Sequence, residues 1–147
     1  MMARQPETPF DPRVGAIASH IVQRLADAAV EDMRARYDFG RVLQTLRRSG
    51  RGASGAGMLR RLADRLGVDP SALRRYAQVS ETIPPREFAW MMRLTNRRGA
   101  PLTWSHVELL ARVRSPERRK VLATEIADEG LSVRAFSARL RSRHPNG

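Results

Sequence analysis

The chain has 147 residues, enough for one core or two small helical units sharing an interface, and too few for a catalytic domain with a large binding domain attached. It carries 27 basic against 15 acidic side chains, a formal charge of +12, which favours a polyanionic partner over an enzyme acting on acidic substrates. The absence of cysteine excludes disulfides and thiolate-bound zinc and fits a reducing compartment.

Residues 1–10 are polar and proline-containing and are expected to be loose. They lack the apolar stretch of a signal peptide, and no later run has the length and apolarity of a membrane span, so the expected location is the cytoplasm, on a bacterial nucleoid. Residues 11–48 are expected to form N-terminal helices. Asp11 and Pro12 make a helix start, an acceptor at the cap followed by proline at the first helical position. Val14, Ile17, Ala18, Ile21, Leu25, Ala29 and Met33 then recur at three and four, predicting an amphipathic helix to about Arg36. Such a stripe serves either as core or as a self-association face, with Val14, Ile17, Ile21 and Leu25 as its dimer candidates. In "YDFGRVLQTLRRSG" the residues Phe39, Val42, Leu43 and Leu46 suggest a shorter second helix, with a kink or break around Tyr37 to Gly40 because glycine weakens helix propensity.

"SGRGASGAG" gives an expected loop over 49–57. Its glycines lack the spacing of a dinucleotide fingerprint and no Gly-Lys-Ser/Thr follows, so the reading is a plain loop that could order against a DNA backbone, with Arg51 as a backbone contact. Residues 58–141 read as a DNA-binding unit of several helices. Within "LADRLGVDPSALRRY", Leu62 and Leu66 are expected inward, Ala63 is small where a second helix must cross, and Gly67 ends the first helix. Val68 is expected to plug the turn, Asp69 and Pro70 start the next helix, and Leu73 and Tyr76 anchor it. That leaves Ser71, Ala72, Arg74, Arg75 and Gln78 outward as candidates for reading base edges, with Arg60, Arg61 and Arg65 on the preceding helix for phosphate. The alternative is an ordinary helical hairpin with a solvated arginine face.

Downstream, a helix is expected from Pro85, with Phe88, Met91, Met92 and Leu94 as core and Arg93, Arg97 and Arg98 at a positive end. Thr103 then caps a helix carrying Val107, Leu110 and Ala111. Ser115 and Pro116 start one with Val121, Leu122 and Ile126 as its stripe and Gly130 as its stop, and Ser132 caps a last helix anchored by Val133, Phe136 and Leu140. Residues 142–147 read as a tail. No alternating strand pattern appears, so the fold expected is all-α, a multi-helix bundle containing a helix-turn-helix behind an amphipathic N-terminal helix. The charge is uneven as well: residues 1–40 hold 5 Arg and 6 acidic residues, net −1, and the remainder is net +13.

The order "YDFGRVLQTL", "LRRLADRLGVDPSALRRYAQV", "PLTWSHVELLARVRSPERRKVLATEIADEGLSVRAF" resembles the helical N-terminal domain of YhcG-type PD-(D/E)XK nuclease proteins, over about Tyr37 to Leu140. Its second half is also similar to the central DNA-binding domain of ParB proteins, through "LTWSH" and "LSVRAF". The resemblance implies phosphate contact from Ser105 and His106, and for Arg134 either a DNA contact or a buried bridge to a carboxylate. Two departures limit it: the usual Trp-Gly after the first helices is replaced by the glycine-alanine loop, and neither a nuclease domain nor the ParB nucleotide-binding domain is expected here. Glu117 and Lys120 stand three apart, where a nuclease ExK motif has them two apart, so no catalytic role is carried over.

His20, His106 and His144 are scattered and read as structural or surface residues, with no metal site and no cofactor; Trp104 reads as a core anchor. No nucleophile, base and orienting group stand together, so no enzyme activity is expected. The partner expected is double-stranded DNA, bound by a homodimer acting as a transcriptional regulator or DNA-organising factor. The alternative is an adaptor that docks a protein partner, working with a nuclease or partition machinery.

Overall fold

The computed structural model describes residues 11–48 and 55–143, and the fold is an all-α bundle of seven helices over these residues. They are α1 (Pro12–Arg48), α2 (Gly55–Leu66), α3 (Pro70–Thr82), α4 (Pro85–Met91), α5 (Trp104–Leu110), α6 (Pro116–Glu129) and α7 (Val133–Arg143). Among the described residues the only β pairing is an isolated bridge, Thr95 to Pro101, in the α4–α5 connection. Most helix starts follow from local chemistry. The side chains of Asp69, Thr103, Ser115 and Ser132 accept from backbone N–H groups two or three residues on, and proline holds the first position in α3 and α6. Gly130 ends α6 at φ 61°, where a side chain would strain.

The expected break at Tyr37 to Gly40 does not occur, since α1 runs unbroken for 37 residues. Gly40 is buried against α3, where an added methyl would collide with the Tyr76 carbonyl and the Ser80 hydroxyl. The residue that lowers helix propensity is thus the one that lets two helices approach. Ser80 Oγ donates to the Tyr37 carbonyl at 2.7 Å and Gln44 Nε2 to the Ala77 carbonyl at 3.2 Å, so backbone groups stitch the same contact. The buried positions here are Met33, Tyr37, Gly40 and Leu43, whereas Val42 and Leu46 lie on the outer side.

Two apolar clusters form the core. The larger joins Met33 and Tyr37 to Val79, Ile83, Phe88, Met91, Val107, Leu110, Leu122, Ile126 and Phe136; the smaller joins Leu43 to Leu59, Ala63, Leu73 and Ala77, and Tyr76 borders both. Tyr37 stacks on Phe88 with centroids 4.1 Å apart, and its hydroxyl donates to the Ile83 carbonyl at 2.7 Å. Burial pushes the Tyr37 hydroxyl up to about 12.

Several inward assignments are corrected. Leu66 is half-exposed and Val68 does not plug the turn, because Leu59, Ala63 and, in part, Leu62 fill the space beneath α3. Val121 is exposed, and Arg119 instead lies inside at 2% exposure. Arg119 donates through Nε and Nη2 to Glu87 and through Nη1 to the carbonyls of Val113 and Arg114, at 2.7–3.2 Å. One buried guanidinium therefore ties α4, the α5–α6 connection and α6 together. α2 begins at Gly55, inside the stretch expected to be loop; residues 49–54, Arg51 among them, lie outside the described residues, as do 1–10 and 144–147.

Candidate nucleic-acid interface

The turn between α2 and α3 is built by its own backbone. Gly67 takes φ 67°, Val68 N donates to the Ala63 carbonyl at 3.0 Å and Gly67 N to the Asp64 carbonyl at 3.4 Å, closing α2 with a left-handed glycine. Asp69 Oδ1 then accepts from the Ser71 N–H and the Ser71 hydroxyl, both at 2.9 Å, and these bonds hold its carboxyl below the usual range. On the inner side Leu73 and Ala77 seat α3 on α1 and α2.

Of the five residues expected to read bases, Arg74, Arg75 and Gln78 are exposed while Ser71 and Ala72 are half-buried. Arg74 and Gln78 stand one turn apart on the solvent face. Arg75 is engaged at home: its Nη1 donates to Ser71 Oγ at 3.3 Å and its Nε lies 3.5 Å from Glu108 of α5. Arg60, Arg61 and Arg65 are exposed on α2, and none has a carboxylate within ion-pair distance among the described residues.

The α5 and α7 candidates separate. Ser105 and Arg134 are exposed and line one hollow between the two helices. His106 is not available for phosphate: it is 6% exposed, its Nδ1 accepts from the Thr103 N–H at 3.0 Å, and its Nε2 meets the Leu131 carbonyl at 2.9 Å. Nδ1 is therefore spent on the N-cap of α5 and Nε2 on joining α5 to the α6–α7 connection, and burial keeps the imidazole's pKa below its ordinary value. Arg134 makes no buried bridge; the buried arginine is Arg119. Trp104 is the core anchor expected, set edge-on to Tyr76 at 5.6 Å, with the Arg36 guanidinium about 6 Å from both rings.

Val14, Ile17, Ile21 and Leu25 point into solvent, Leu25 at 66% exposure, with Val22 beside them. A side chain added at Gly99 would meet Val22, so α1 passes near the α4–α5 connection there. Arg93, Arg97 and Arg98 lie on that connection, beyond the end of α4, and are exposed.

Sequence reasoning passed over Glu108 on α5, Arg112 just beyond its end and Arg141 on α7, which line the same hollow as Ser105 and Arg134. Arginine density was the one available signal, and it does not distinguish a groove from a solvated face. Among the described residues no three His, Asp or Glu side chains stand close enough to hold a metal ion, and no helix is long and apolar enough to cross a membrane. Comparison with protein-family models, with curated proteins and with solved structures finds no match to this chain.

Proposed function

We propose that this chain is a sequence-preferring, double-stranded DNA-binding protein, non-catalytic and dimeric, acting on the bacterial nucleoid as a transcriptional regulator or DNA-organising factor. One observation carries the reading: α3 follows a three-residue glycine turn, is capped by Asp69, and presents Arg74 and Gln78 to solvent, and the preceding α2 carries three exposed arginines. A helix-turn-helix needs such a helix, with hydrogen-bonding side chains outward and a neighbour that meets phosphate. Arginine reads guanine and glutamine reads adenine by paired hydrogen bonds, which assigns base contact to Arg74 and Gln78 and backbone contact to Arg60, Arg61 and Arg65. The sequence resembles YhcG-type and ParB domains, a likeness that implies phosphate contact from Ser105 and His106, of which only Ser105 is exposed. Only the DNA-binding part of that likeness is adopted.

Anisotropy titrations with genomic duplex fragments test the reading. Binding should weaken steeply with salt, and Arg74→Ala should cost about 1–3 kcal/mol on the preferred site and much less on a scrambled one. Absence of binding to every duplex at low salt would overturn it. A genome-wide occupancy map then separates a regulator, with few sharp peaks, from an organising factor with broad coverage.

The exposed apolar stripe of α1 favours a second reading, an adaptor that docks a protein partner through this helix. Pull-down from cells that recovers one stable protein partner, lost on Ile21→Asp, supports the adaptor; recovery of DNA without such a partner counts against it.

A further inference from the structure

Helix α7 sorts its arginines by face. Arg139 is held by Glu129 at 2.6 Å and by Glu125 at 3.2 Å, and Arg143 by Glu125 at 3.2 Å, so the side turned to α6 is neutralised. Arg134 and Arg141 turn the other way, toward α5, where two adjoining hollows of about 580 and 690 Å³ share Arg112 and Arg141 in their walls. Arg134 lines the first and Arg114 and Arg118 the second, so five arginines line a trough made of two hollows that share a wall. None of the five has a carboxylate partner among the described residues. Among the described residues Glu108 is the only acid lining either hollow, and it faces Arg75 of α3.

Converging like charges repel, and a fold that pairs the arginines on one side of α7 with carboxylates leaves those on this side unpaired among the described residues. An anion from outside would relieve the repulsion. Guanidinium forks suit phosphate oxygens, and a basic lining that continues through two hollows exceeds what a single phosphate group fills. The Arg75–Glu108 pair joins the trough to the first turns of α3, which puts the trough beside the proposed reading helix. We infer that the trough between α5 and α7 seats the phosphodiester backbone of the same duplex that α3 reads, an inference that rests on the DNA-binding function proposed above.

The test titrates the full chain against preferred and scrambled duplexes from 50 to 200 mM salt, comparing wild type with the triple variant Arg112→Ala, Arg134→Ala, Arg141→Ala. Lys120→Ala, a charge loss on the acidic side of α6, serves as control, and circular dichroism confirms the helices. The triple variant should weaken both duplexes by the same factor and lower the slope of log affinity against log salt by about two to three, with the control unchanged. Should the triple variant lose helicity, Arg134→Ala alone should lower the slope by about one. If wild type binds and the slope stays the same, or the loss is confined to the preferred site, the trough is not a backbone seat although the protein still binds DNA. If wild type binds no duplex, the DNA-binding function fails and the inference with it.

Discussion

The two halves of α1 share one spacing of apolar residues and differ in what they meet. From Val30 to Leu43 the helix lies in the bundle, with Met33, Tyr37, Gly40 and Leu43 buried and Gly40 against the α3 backbone. From Val14 to Leu25 the same three-and-four repeat stands in solvent, with Val22 passing near the Gly99 turn. Periodicity specifies that a helix has an apolar face, and nothing more. Which half is core is decided by shape: glycine and serine let the second half approach α3, whereas the apolar face of the first half stays exposed. Substitutions in the packed body should therefore cost stability in the isolated chain, and those in the first half should not.

The largest effect expected within the body is at its buried ion pair. Arg119→Ala leaves the Glu87 carboxylate inside without its counter-charge and two loop carbonyls without donors, and should cost about 3–5 kcal/mol. Urea unfolding reads this directly. A loss below about 1 kcal/mol would mean that the pair is hydrated and the packed body looser than described.

Next comes Gly40→Ala, which sharpens the comparison because it lies on α1 itself. In an exposed helix this exchange stabilises by roughly 0.5–1 kcal/mol, but here the methyl meets the Tyr76 carbonyl and should cost about 1–3 kcal/mol instead. Gly15→Ala, in the first half, is the paired control and should gain stability. If both variants gain, α1 and α3 are not in close contact at Gly40.

Sequence alone made the local part of this architecture legible. Caps such as Asp69, Thr103 and Ser115 and the stop at Gly130 are readable because their causes lie within four residues. Gly40 was misread because its cause lies on another helix, and Arg119 was passed over because nothing in "PERRK" sets it apart until Glu87, 32 positions away, is brought beside it. In the candidate interface, the outward set of Arg74, Arg75 and Gln78 was legible from helical spacing. The pairing of Arg75 with Glu108, the trough and the burial of His106 were not, since each depends on how α5 meets α3 and α7.

His106 gives a smaller, pH-dependent effect in the body. The folded chain holds its imidazole neutral, and the unfolded chain protonates it near its ordinary value of about 6.5. Its contribution is therefore complete above that value and is lost as pH falls through it toward the lower folded value. The urea midpoint of wild type should decline between pH 7.5 and 5.5, and His106→Gln should be less stable at pH 7.5 but decline less. Equal slopes in both would show that the ring's two hydrogen bonds do not depend on its neutrality.

The smallest effect on the isolated chain, and the most informative about the first half of α1, is expected from Ile21→Asp. Ile21 is half-exposed and covers no core, so dilute urea unfolding should change by no more than about 0.5 kcal/mol. At micromolar concentration the same variant should act on association instead, because a carboxylate in the stripe of Val14, Ile17 and Leu25 would have to be desolvated in a helix-to-helix contact. Light scattering should then give a dimer for wild type and a monomer for the variant. On DNA the variant should lose the advantage of a site with two half-sites about 34–36 Å apart over a single half-site, because each copy would bind alone. A wild-type chain that is monomeric both free and on DNA would reject self-pairing through this stripe. The exposed half of α1 would then be left to the adaptor reading, whose test is a protein partner captured through the same residues.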